Sequence, residues 1–189
     1  MIDFRSNIAI AMGGNLPFEG AATAATLVAA VGELANDDVL IRGVSRFFQT
    51  PCFPTGAGPD YVNAVISVQT VLSPHELLHR LHGVESNFGR ARAQRWGMRT
   101  LDLDILAYDQ AVLPIRNTQE RWMSLPLDQQ INTVPDELIL PHPRLQDRPF
   151  ALIPMCDIMP DWVHPVLKKT ARELSNALPP EEIEAVRPI

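Results

Sequence analysis

The sequence predicts an α+β fold in which strands and helices follow the order β-α-β-β-α-β, with a tail after the last strand. Three observations carry this. Residues 61–71 (YVNAVISVQTV) alternate in the strand period, with Val62, Ala64, Ile66 and Val68 on one side and Tyr61, Asn63, Val65 and Ser67 on the other. A fully signalled helix follows directly. Short apolar runs at residues 7–12 (NIAIAM) and 101–108 (LDLDILAY) read as the first and last core strands.

The elements follow in order. The first strand ends at Gly13-Gly14-Asn15, a turn signal. Residues 18–35 are alanine-rich and place Leu27, Val28, Val31 and Leu34 at helical spacing. Residues 39–48 (VLIRGVSRFF) form a β-rich second strand, and residues 50–60 (TPCFPTGAGPD) a Pro- and Gly-dense loop. The second helix has Ser73 as N-cap, Pro74 at its first position, Glu76 closing a capping box and Gly89 as its stop. Leu77, Leu78, Leu81, Val84 and Phe88 form its apolar stripe. Residues 109–143 lack periodicity and read as a long irregular excursion. Short helices are expected at 148–158 and 170–178, the latter with a Thr170/Glu173 capping box. This order is the ferredoxin-like βαββαβ core, a mainly antiparallel sheet with helices packed on one face.

With 189 residues and no repeat or linker, the chain is expected to form a single domain, residues 1–189, with the excursion as its one elaboration. A net charge of −6 and a pI near 5.3 exclude a general nucleic-acid binder, so any polyanion must meet a local basic patch. Two distant cysteines, Cys52 and Cys156, supply neither a disulfide framework nor a zinc site. The apolar run near the N-terminus is too short for a signal peptide, and no stretch is long enough to span a membrane. A monomer in the cytoplasm is expected.

Chemistry concentrates around one strand. Asp102 and Asp104 lie two apart, so both carboxylates leave the same face, opposite Leu101, Leu103 and Ile105. Two adjacent like charges repel, and a hard cation such as Mg²⁺ held together with phosphate oxygens relieves that repulsion. A bare D-x-D is more readily explained as a solvated acidic strand face. The segment before it shifts the balance: Arg90, Arg92, Arg95 and Arg99 crowd one loop between Gly89 and the strand, with Gly97 and Trp96 among them. Arginine forks match phosphate oxygens, glycines permit loop closure, and Trp96 offers a flat apolar face. A purely structural cluster, with these arginines paired to Asp102, Asp104 and Glu85, needs neither the glycines nor the tryptophan. His75, His79 and His82 share a helix flank without a metal signature, and read as polar surface. Pro141-His142-Pro143-Arg144, with Arg148 and Phe150, adds a further basic and aromatic loop.

The run GRARAQRWGMRTLDLDIL resembles the signature of the 6-hydroxymethyl-7,8-dihydropterin pyrophosphokinase (HPPK) family, and AMGGNL, SRFFQTPCF, PDYVNAV, LPHPRLQDRPF and PDWVHP extend the similarity over most of the chain. The resemblance implies transfer of pyrophosphate from ATP to the pterin hydroxymethyl group, releasing AMP. It implies that Asp102 and Asp104 hold two Mg²⁺ ions, and that Arg90 and Arg99 act on the phosphates during transfer. Arg92, His142 and Arg148 are implied to hold ATP, with Ile105 and His82 near its base. For the pterin it implies Thr50, Pro51, Phe53, Tyr61 and Asn63 at one edge, and Trp96 and Phe150 against the ring. Glu85 is implied to support the arginine loop.

The chain departs from the pattern in four places. Gly14 stands where the family usually has serine, His82 replaces an expected glutamine, and Met98 an expected proline. The stretch 111–136, which carries Trp122, is longer than in compact members; flap and partner surface are both open readings. These departures motivate an alternative, a catalytically silent ferredoxin-like module that binds nucleotide or pterin. A D-x-D nucleotide-sugar transferase is disfavoured, because no Rossmann-type βαβ series is present.

Overall fold

The computed structural model describes residues 5–52, 56, 58–89, 98–126, 129 and 133–189. Strand β1 (Ser6–Gly14) runs through the centre of the sheet, antiparallel to β4 (Tyr61–Thr70) on one side and to β5 (Asp102–Tyr108) on the other. The far edge of β4 carries β2 (Val39–Val44) and β3 (Phe48–Thr50), and a short C-terminal β6 (Arg187–Pro188) extends β3. The predicted single strand over 39–48 is therefore broken. At Ser45 the chain leaves the β2 ladder, its hydroxyl taking the Val65 N–H and its own N–H reaching the Val65 carbonyl.

Helices α1 (Thr23–Leu34) and α2 (Pro74–Asn87) cover one face of the sheet. The alternation of β1 explains why: Ile8, Ile10 and Met12 point into this layer with Ile66, Val68, Leu77, Leu81, Leu101, Leu103 and Ile105. α1 begins at Thr23, five residues later than the sequence reading. Residues 18–21 close a turn through a Phe18–Ala21 bridge; of the residues read at helical spacing, Leu27 and Leu34 are buried while Val28 is 58% exposed. The capping box of α2 forms as predicted, and Gly89 ends the helix at φ +74, in the left-handed region that suits glycine.

The opposite face is also covered, which the sequence reading did not anticipate. Ala9, Val65, Leu106 and Ala107 pack under α4 (Pro149–Ile158) and α5 (Ala171–Asn176), followed by α6 (Pro180–Glu184). Arg46 clamps this layer to the sheet edge with a two-pronged contact to Asp157, 2.7 and 2.9 Å. The excursion also holds a helix, α3 (Arg116–Ser124), where the sequence lacked periodicity. Among the described residues no helix is long and apolar enough to cross a membrane.

Candidate functional site

Strand β5 does what its period dictates. Leu101, Leu103 and Ile105 enter the α1/α2 core, while Asp102 and Asp104 face away from it with side chains 24% and 44% exposed. A register shift opposite Ala9/Ile10 then lets Leu106 and Ala107 both turn toward the second layer. The Leu106 carbonyl accepts the His142 N–H at 2.9 Å, which fixes the Pro141–Arg148 segment beside the acidic pair.

Each carboxylate meets an arginine. Arg99 Nη1 lies 2.7 Å from Asp102, and Arg148 Nη1 lies 3.7 Å from Asp104. Burial pulls the Arg99 guanidinium down, but the charge of Asp102 outweighs it and leaves the group raised. For Arg148 burial prevails over the attraction of Asp104, and the group is lowered. Its guanidinium also stands 5.5 Å over the Phe150 ring. Two oxygen donors on one face, both open to solvent, fit a hard divalent cation that completes its shell with water and phosphate. Among the described residues no cluster of three or more His, Cys, Asp or Glu builds a closed metal cage.

His142 supplies a second clue. Its Nδ1 accepts the Arg144 N–H at 3.0 Å, so the neutral ring carries its proton on Nε2. Burial, then Arg148 and Arg144, hold its pKa well below the usual histidine value. Nε2–H and Arg148 Nη1 therefore face each other at 3.3 Å as two donors, an arrangement that an anionic oxygen satisfies.

Across the sheet, Asn63, Gly13 and Asp102 occupy one rung of β4, β1 and β5. Asn63 and Asp102 thus share a face roughly 10 Å apart, two strand spacings. A Cβ on Gly13 would sit 2.5 Å from Asn63 Oδ1, so glycine is what lets that amide lie across β1. The amide also donates to Thr50 Oγ1 at 2.7 Å, in a pocket where both residues are buried. Tyr61, paired with Thr50 across the ladder, has its phenol raised first by burial; Arg99 opposes the shift and Asp102 adds to it. Pro51 is exposed beside them.

The Gly-Gly-Asn turn is more than a turn. Asn15 and Leu16 donate backbone N–H groups to the Arg99 carbonyl, Asn15 Oδ1 accepts the Arg99 N–H at 2.9 Å, and Asn15 Nδ2 reaches Pro59. A Cβ on Gly14 would collide with the Thr100 carbonyl oxygen. Glycine in place of the expected serine therefore matches the close approach of the chain that delivers Arg99. Glu85, 1% exposed on α2, accepts the Leu103 N–H at 2.7 Å and so holds β5 between the two aspartates.

A cavity of about 580 Å³ adjoins Asp104. Arg144 and Arg148, with the neutral His142 between them, give it a basic side, Leu78, Trp122, Val134 and Pro135 an apolar one, and Asp136 and Glu137 add acidic groups to the rim. Its size suits a small-molecule ligand. Ile105 and His82, expected near the nucleotide base, do not line it. The Ile105 side chain is 4% exposed within the core, and α2 turns His75 and Leu78 to the cavity instead. Arg90, Arg92, Trp96 and Phe53 lie outside the described residues. Sequence reasoning read Asn15 as a turn residue and His75 as polar surface and passed over Gln119; Asn15 and Gln119 act through contacts with residues far along the chain, and His75 lines the cavity.

A family model described as 7,8-dihydro-6-hydroxymethylpterin-pyrophosphokinase (HPPK) matches residues 9–160. A Synechocystis protein named 2-amino-4-hydroxy-6-hydroxymethyldihydropteridine pyrophosphokinase is 36% identical over 153 residues, covering 78% of this chain and 66% of its own length. A Haemophilus influenzae protein of the same name is 35% identical over 158 residues, covering 82% and 83%. Among solved structures, Plasmodium falciparum wild-type HPPK-DHPS superposes with a TM-score of 0.64 at 16% identity, over 92% of this chain and 44% of that one. The chain thus spans less than half of that solved protein and about two thirds of the Synechocystis relative, and the structural likeness speaks for the fold.

Proposed function

Because this chain belongs to the 7,8-dihydro-6-hydroxymethylpterin-pyrophosphokinase (HPPK) family, we propose that it transfers pyrophosphate from ATP to the hydroxymethyl group of 6-hydroxymethyl-7,8-dihydropterin, releasing AMP. The observation that carries this reading is the shared face on which Asp102 and Asp104 each meet an arginine beside a cavity with a basic wall. Asp102 and Asp104 would hold two Mg²⁺ ions, which when bound neutralise phosphate charge and acidify the acceptor hydroxyl. The two ion pairs are the resting partners. With nucleotide and cation present, the carboxylates would hold the cation and Arg99 and Arg148 would be released to phosphate oxygens. His142 Nε2–H donates to the same phosphates.

Asn63 and Thr50 would read the polar edge of the pterin, with Tyr61 and Pro51 beside them and Phe150 against the ring. The shared rung of Asn63 and Asp102 supports a reading in which pterin and phosphates lie along one face. Arg90 and Arg92 are assigned to the phosphates, and Trp96 and Phe53 to the pterin, on the family pattern. We read residues 1–189 as one domain, acting as a monomer in the cytoplasm. The silent-module alternative is not favoured, since Asp102, Asp104, Arg99 and Arg148 stand together in a working arrangement. The test is the nucleotide product formed from ATP, Mg²⁺ and the pterin: AMP supports the reading and ADP overturns it.

A further inference from the structure

We infer that α3 and residues 133–139 form the nucleotide-base wall of the cavity, and that Trp122 is its specificity-determining residue, stacking on the base. The inference rests on the pyrophosphokinase reading, which places ATP phosphates at Asp104, His142 and Arg148. The cavity that begins at those groups continues past them, and its remaining wall comes from His75 and Leu78 of α2, Trp122 of α3 and residues 133–139. Trp122 is the only indole or phenyl ring lining that cavity among the described residues. It is half-buried, with part of its surface open at the cavity.

The wall is anchored rather than draped. Leu113 and Leu140 exchange backbone hydrogen bonds of 2.8 and 3.2 Å and close the base of the excursion. Gln119, fully buried on α3, donates its side-chain amide to the Pro141 carbonyl at 3.4 Å, the residue just before His142. Gln119 and Trp122 are three apart and share one side of the helix, so the contact that docks α3 on the phosphate-binding segment also turns Trp122 toward the cavity. An amide buried in an otherwise polar helix has a purpose on this account: it sets the distance between ring and phosphate site. The aromatic face accepts any flat base, and its position selects a ligand with a ring at one end and phosphates at the other.

Calorimetric titration of the full chain with Mg²⁺–ATP and, separately, with Mg²⁺–tripolyphosphate tests this, without pterin so that nothing turns over. Trp122→Ala is expected to weaken ATP binding by about tenfold, the scale of one base–aromatic stack. It leaves tripolyphosphate affinity unchanged, and Trp122→Phe restores most of the ATP affinity. Wild-type ATP affinity in Trp122→Ala overturns the inference while leaving the pyrophosphokinase reading intact. Equal losses for ATP and tripolyphosphate also overturn it, because Trp122 would then support the fold and not the base. If the wild-type chain binds neither ligand and forms no AMP, the reading itself fails and the inference with it.

Discussion

A Glu85 carboxylate oxygen accepts the backbone N–H of Leu103, the residue between Asp102 and Asp104, at 2.7 Å. The strand that presents both acidic side chains is thus held by a buried carboxyl group on the neighbouring helix. Removing that acceptor strands a buried N–H, which costs about 1–3 kcal/mol. Glu85→Ala is expected to lower unfolding free energy by that amount. It should slow turnover on the order of 10²-fold through displaced aspartates. Glu85→Gln, which keeps an oxygen for the N–H, recovers more of both. Denaturant unfolding and steady-state rates of the two variants decide this; an alanine variant as stable and active as wild type contradicts it.

The Gly14 position makes an unusual prediction. Restoring the serine expected of the family drives a Cβ into the Thr100 carbonyl, a backbone atom that cannot rotate away. Gly14→Ser should cost about 1–3 kcal/mol, the usual penalty for overpacking. Gly13→Ala meets only the Asn63 side chain, so it should act chiefly on pterin affinity. Thermal melts and pterin KM values separate the two. A Gly14→Ser protein that melts no lower than wild type refutes the close approach.

Arg99 is paired to Asp102 and fixed at its backbone by Asn15. A guanidinium held this way serves charge that develops during transfer more than ground-state binding. Arg99→Ala should lower kcat on the order of 10²-fold, with only a small change in ATP affinity. Equal losses in rate and affinity would place it in ground-state binding instead.

Buried His164 sets a pH dependence. Its Nδ1 accepts the Val166 and Leu167 N–H groups at 3.2 Å, and burial lowers its pKa from 6.5 to about 4. Between those values the unfolded chain binds the proton and the folded one does not. Stability is therefore full above 6.5 and falls as the pH drops toward 4, by about 3 kcal/mol. His142 is shifted in the same direction and adds to the loss. His164→Asn, which cannot titrate, should flatten the slope of unfolding free energy over this window. An unchanged slope would show that His164 does not carry it.

Much of this architecture was legible because period and burial coincide. The large apolar residues of β1 and β4 and the first residues of β5 follow the strand period, and α2 is bracketed by Ser73, Glu76 and Gly89, so tertiary contacts had little to override there. α3 was not, because its docked side presents the polar Gln119 and no apolar stripe marks it. The second helical layer was missed for a related reason: the β1 residues beneath it are the small Ala9 and Ala11, which do not announce a buried face. At the site, strand period alone put Asp102 and Asp104 on one face. The contacts that fix this strand and its arginines (Glu85 to Leu103, Arg148 to Asp104, Asn15 to Arg99) span 18 to 84 positions and follow from topology. His82 was expected at the nucleotide, yet α2 offers the cavity its first turns, His75 and Leu78.

The central claim is that the acidic pair and its arginines move pyrophosphate in one piece. Phosphorus NMR of a reaction containing ATP, Mg²⁺ and 6-hydroxymethyl-7,8-dihydropterin follows each ATP phosphorus directly. The account predicts AMP and a pterin diphosphate in equal amounts, with the β and γ phosphorus atoms both on the pterin. Appearance of ADP with a pterin monophosphate, or ATP left intact, contradicts it.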